Sequence, residues 1–217
     1  MRLPYVTTLC VALLAVSAGA VVGQDDPDIA DLRSEVTRLG AQLDTVTAER
    51  NALLAEAEAA AARYEKTKVT QELLYEIIAD PAAHGTEQEV LDLLDGLAAP
   101  KTVYGDDVFG ATSWRTGWRN TLFGNIDATI HTWLSWLSED GSVGGSMWTW
   151  SGSALNGEPF DLQGIELSTY DEQGLLDSVT VYYPYEGAEV RLRINRGNEE
   201  ARAAQAPDDA EGVAASE

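Results

Sequence analysis

Cysteine is almost absent from this chain. The single one, Cys10, lies in the N-terminal segment, so everything after it lacks a thiol, a disulfide and any cysteine-ligated metal. Lysine is nearly as scarce. Lys66, Lys68 and Lys101 are the only three, and all basic residues together number 14 against 36 acidic ones. A net charge of −22 repels phosphate backbones and makes nucleic acid a poor partner. Histidine occurs twice, at His84 and His131, without the paired spacing of a metal site, so no metal and no cofactor is expected. Charge is also missing from Leu3 to Gln24, where Arg2 precedes the apolar run at residues 9–22. Ala18 and Ala20 stand as the small residues of a cleavage site ahead of Asp25 and Asp26, so residues 1–23 read as a signal peptide. The alternative is an uncleaved anchor, since about 20 apolar residues can just span a bilayer. Either way the chain is expected to be exported, to a periplasm or the extracellular space.

What is present begins with a heptad pattern over residues 27–68. Ile29, Val36 and Leu43 fall at a positions, with Leu32, Leu39, Val46 and Leu53 at d, before the seam fades into alanine. Apolarity sustained at a period of 3.5 predicts a coiled coil and a homo-oligomer through residues 27–67, although Arg50 occupies an a position. A single helix packing back on its own domain is the competing reading.

Beyond residue 68 the period changes. Leu73, Leu74, Ile77 and Ile78 mark an amphipathic helix that Pro81 stops. A second helix starts at Thr86, whose partner three residues on, Glu89, completes a capping box, and Gly96 ends it. Residues 101–126 are mixed, without a clear period. Strand patterns then follow at 126–137, 144–152, 159–170 and 175–184, with a shorter one at 189–194, separated by turns rich in Gly, Asp and Asn. Helices followed by an antiparallel meander predict an α+β fold. Residues 196–217 read as a disordered acidic tail.

One stretch carries a resemblance. Trp150-Ser151-Gly152, Gly157-Glu158-Pro159, Gly164-Ile165, the turn from Asp171 through Gly174, and the strand end Tyr182-Tyr183 resemble the SnoaL-like branch of the nuclear-transport-factor-2-like family. The resemblance covers roughly residues 69–195. It implies a cone fold, in which a curved antiparallel sheet wraps the N-terminal helices around a cavity suited to small molecules. The family includes polyketide cyclases, isomerases, dehydratases and binding-only proteins, so fold alone does not fix an activity. Its cyclases carry an aspartate directly after the tyrosine pair. Here that position is Pro184, which cannot move a proton, so the chain reads as leaning away from catalysis.

The expected pocket residues are His131, Trp133, Trp148, Trp150, Tyr182 and Tyr75. His131, the one catalytic candidate, alternates with Trp133 on its strand, and Trp148 and Trp150 share a strand face. Tyr75 lies on the first helix, roughly where isomerase-like members place a hydroxyl donor. Asp127, Asp161, Glu166 and Asp177 are strand carboxylates that could replace the missing aspartate. The tryptophans have two open readings, a flat apolar ligand site or a large aromatic core. The leading functional expectation is an exported, non-catalytic module that binds a small apolar ligand and is oligomerised by its heptads. The alternatives are a lyase- or isomerase-type enzyme using His131 with a strand carboxylate, and a structural envelope protein.

Overall fold

The computed structural model describes residues 27–205. The expected signal peptide or anchor lies outside these residues, as does the end of the tail. No described helix is long and apolar enough to cross a membrane. The chain divides into two compact units, one up to Ala55 and one from Glu56 onward.

The described part of the first unit is helical. Helix α1 runs from Pro27 to Ala79, and in its first half Leu32, Leu39, Leu43, Val46 and Leu53 are all exposed. Among the described residues of this unit the a/d seam has no partner.

In the second unit the same helix is amphipathic. Thr67, Thr70, Gln71, Leu74, Ile77 and Ile78 are buried at helical spacing. Contact begins at Arg63, which donates to the Asp140 carbonyl, and at Thr67, whose hydroxyl donates to the Gly141 carbonyl at 2.9 Å. Asp80 caps a 3-10 turn at Pro81–His84. Helix α2, Glu87–Gly96, opens with the predicted reciprocal capping box of Thr86 and Glu89, and buries Val90, Leu91 and Leu94.

Four elements come from the segment that lacked a period and the residues just before it. Strands β1, Ala98–Asp106, and β2, Gly110–Ser113, form a hairpin. Helix α3, Trp114–Trp118, capped by Ser113, runs into a π turn at Arg119–Phe123. Strands β3, Ile126–Leu137; β4, Val143–Ser153; β5, Pro159–Tyr170; and β6, Leu176–Tyr182, form the expected meander. The six-stranded sheet has the order β2-β1-β6-β5-β4-β3 and is curved and unclosed. It is not wholly antiparallel, because β1 lies parallel to β6 and joins the hairpin to the meander. Helices preceding a curved sheet that wraps them is the α+β cone arrangement expected from the sequence.

The turn between β3 and β4 is held by Asp140, which accepts from the Ser138 hydroxyl and from the Ser142 hydroxyl and backbone N–H. These bonds, the Ser138 one foremost, keep its carboxyl well below the usual carboxylate range. β5 alternates without a break. Phe160, Leu162, Gly164, Glu166, Ser168 and Tyr170 are buried between exposed neighbours, so one face meets the core and the other meets solvent.

One expectation is corrected outright. The segment predicted as a strand at 189–194, and the start of the predicted tail, form helix α4, Tyr185–Gln205. Val190, Leu192 and Ile194 only mimic strand alternation, and Leu192 is half exposed. The buried set is Gly187, Arg191, Ile194, Gly197 and Asn198, a helical stripe disguised by polar members.

Candidate functional site

The concave face of the sheet and the helices enclose an aromatic chamber. Trp148 and Trp150 enter it from β4, Ile130 from β3, Glu166 from β5, and Tyr104 and Trp118 from β1 and α3. These side chains fill it. Trp114 and Tyr104 both pack edge-on against Trp118, and Phe160 tilts against Trp150 at 4.6 Å between ring centroids. About 10 Å³ is left, on the order of a single water. Trp118 and Trp150, both 1% exposed, have indole N–H groups without a hydrogen-bond partner.

Glu166 stands at the wall of this chamber, 2% exposed. Its carboxylate accepts from the Tyr75 hydroxyl at 3.3 Å and from the Ser168 hydroxyl at 3.2 Å. Burial pushes its carboxyl up to about 7, the two hydroxyls pulling less strongly the other way. Burial likewise pushes the Tyr75 hydroxyl well above its ordinary value, and the Glu166 charge adds to that.

A second, larger cavity of about 270 Å³ lies between the β1–β2 hairpin, the π turn and α4. Tyr104 and Thr121, joined at 3.3 Å, border both spaces. The lining is polar: Thr112 from β2, Asn120 and Thr121 from the π turn, and Arg191, Asn195, Asn198 and Arg202 from one face of α4. Arg191 is 9% exposed. Its Nε donates to Asp106 Oδ2 at 3.4 Å, and its guanidinium lies over the Phe109 ring at 4.8 Å and the Trp150 ring at 5.0 Å. Asp106 also accepts from the backbone N–H groups of Val108 and Phe109 and from the Tyr183 hydroxyl, which closes the hairpin turn.

Among the residues singled out from the sequence, the structure brings together Trp148, Trp150 and Tyr75, around Glu166. It does not bring His131 or Trp133 there. Both are exposed on β3, and neither lines the chamber. Tyr182 is corrected too. It is 42% exposed, and its neighbour Tyr183 turns inward, with its ring edge-on to Trp148 at 5.7 Å. Of the four strand carboxylates, Asp127, Asp161 and Asp177 are exposed and Glu166 alone is buried. Tyr104, Trp118, Asp106, Arg191 and Asn198 were not anticipated. Only the last two had a readable signal, a helical stripe through residues 187–198. Among the described residues no group of three or more His, Cys, Asp or Glu side chains could hold a metal ion.

No protein-family model and no curated protein matches the sequence. Solved structures do. An NTF2-like protein of unknown function from Burkholderia pseudomallei K96243 is 13% identical with a TM-score of 0.47, covering 59% of this chain and 96% of its own. One from Exiguobacterium sp. 255-15 is 16% identical with a TM-score of 0.44, covering 54% and 98%. SalBIII, an epoxide hydrolase/cyclase-like enzyme of salinomycin pyran ring formation, is 11% identical with a TM-score of 0.45, covering 55% and 94%. The likeness is one of fold, not of chemistry.

Proposed function

We propose that the second unit is a non-catalytic small-molecule-binding module whose ligand sits in the cavity between the β1–β2 hairpin and α4, carried by an exported chain that assembles through residues 27–67. One observation carries this reading: the cavity of about 270 Å³ has walls of hydrogen-bonding side chains, four of them aligned on one face of α4. The apolar ligand expected from the tryptophans loses its support, because those tryptophans pack a chamber with room for about one water. The tryptophans are core, and the roomier site is polar.

The test is ligand-observed NMR with a fragment library on the purified chain, repeated with Ala111→Trp, which fills the cavity from an exposed position. Hits lost in the variant support the reading. Hits that all survive place binding elsewhere.

A second reading, a proton-transferring enzyme of lyase or isomerase type, is favoured by Glu166 alone. A carboxyl titrating near 7, with a tyrosine hydroxyl on it, is suited to general acid–base work. It requires a substrate to enter the chamber by displacing Tyr104 and Thr121. A turnover that rises through pH 7 and vanishes in Glu166→Gln would establish it.

A further inference from the structure

We propose that the cavity beneath α4 is an anion site: Arg191 anchors the carboxylate or phosphate group of a small organic acid, and Arg202 supplies a second positive charge at the cavity's exposed end. The proposal rests on that cavity being the ligand site.

Helix α4 places Arg191, Asn195, Asn198 and Arg202 at i, i+4, i+7 and i+11, one continuous face. Eleven residues span roughly 16 Å of helix axis, so the arginines stand toward opposite ends of the cavity with the two amides between them. Asn198 is fixed by its own bonds to Leu155, Gly124 and Asn125. It therefore shapes the wall; Asn195, whose amide nitrogen donates to Glu199 at 2.8 Å, and Asn120 line the cavity beside it.

The chemistry of Arg191 points to an anion. Its guanidinium lies over two aromatic rings, which restrict the donor fork before any ligand arrives. One edge is used, by the long contact from Nε to Asp106. The Tyr183 hydroxyl also lies within hydrogen-bond reach of the guanidinium, and the side chain lines the cavity. Asp106, for its part, is committed to the hairpin backbone and to Tyr183, so it does not saturate the fork. A carboxylate or phosphate would supply two acceptors in the fork's own geometry.

Charge distribution agrees. In a chain with 36 acidic and 14 basic residues, the cavity lining holds two arginines and one carboxylate. Arg191 pairs with Asp106, as Arg63 does with Asp140, Arg115 with Asp92 and Asp95, Arg119 with Glu87, and Arg193 with Glu158, so Arg202 is the surplus charge of the lining. Phe109, Gly110 and Ala111 give the cavity an apolar border for the remainder of the acid.

The experiment is an NMR titration of the labelled full chain with benzoate, inorganic phosphate and the neutral isostere benzamide, for wild type, Arg191→Gln and Arg202→Gln. Arg202 is exposed, so its variant keeps the fold and the test stands even if Arg191→Gln does not fold. Benzoate, phosphate or both should shift cavity amides, and binding should weaken at least about fivefold in Arg202→Gln and about tenfold or more in Arg191→Gln, as expected for charged hydrogen bonds. Benzamide binding as tightly as benzoate would overturn the anion site while leaving a ligand cavity. Anion binding that neither variant weakens would overturn the assignment to these arginines. No shift with any probe overturns the anion site, and if the fragment library also finds no hit, the ligand cavity itself falls.

Discussion

The Tyr75 hydroxyl lies 3.3 Å from the Glu166 carboxylate, joining the last turns of α1 to the middle of β5 across the cone. Ser168 reaches the same carboxylate from two residues along the strand. The carboxylate has two neutral donors and no cation, which is why burial dominates its titration.

Glu166 therefore makes stability depend on pH in a particular direction. Its folded-state value, about 7, is above its ordinary 4.5. Between those values the folded chain holds a proton that the unfolded chain has lost, so this group's contribution falls as pH rises from about 4.5 to 7. A shift of that size corresponds to about 3 kcal/mol. Glu166→Gln should be markedly more stable than wild type at pH 8 and about equal to it near pH 4.5. Paired urea unfolding at the two pH values checks this, and a pH-independent difference would refute it.

Gly164 faces Trp148 across the β4–β5 ladder. A methyl group there would meet the Trp148 ring at 2.2 Å, inside a filled chamber. Gly164→Ala should cost roughly 1–3 kcal/mol by overpacking. Urea unfolding gives the cost, and near-UV circular dichroism should show the displaced indole.

Asn198 accepts from the Leu155 N–H at 2.6 Å and donates to the Gly124 carbonyl and to Asn125 Oδ1. At 5% exposure its loss leaves buried partners unsatisfied. Asn198→Ala should destabilise by roughly 1–3 kcal/mol. A chain ended after Asn195 should lose at least as much, measured as a drop in the urea midpoint. A dispensable tail would lose nothing.

The difference between what could and could not be read lies in phase and polarity. β5 was legible because its alternation runs unbroken from Phe160 to Tyr170. β3 was not. Its register slips between Thr132 and Leu134, so Trp133 is an extra residue, and an assignment of faces by counting from His131 goes out of step beyond it. The face of His131 itself could not be told from alternation, because both sides of β3 carry aromatic or aliphatic residues. Tyr182 and Tyr183 were equally ambiguous, since either could point inward and only the packing on Trp148 decides. α4 was missed because its buried stripe contains Arg191 and Asn198, polar residues that a hydrophobic period discounts. The capping box of Thr86 and Glu89 was legible because it is purely local.

Residues 27–67 are proposed to hold two or three chains together. Leu39 and Leu43 are each about half exposed, and burying such a side chain is worth roughly 1.5–3 kcal/mol. Replacing both with aspartate should lower the mass seen by light scattering while leaving the thermal transition of the second unit in place. An unchanged mass would assign assembly to another surface, and a monomeric wild type would remove the coiled coil.

The sheet has two open edges, and each is built to refuse another strand. β2 is only four residues long. β3 is longer, but its ladder slips twice, and near the first slip Asp127 holds a backbone φ of 50°. Interrupted edges of this kind cannot template a neighbour's backbone. The consequence concerns aggregation. Edge-to-edge growth of the described sheet into a continuous intermolecular sheet is therefore disfavoured in the folded state, and concentrated solutions should resist amyloid-type order, which thioflavin fluorescence checks.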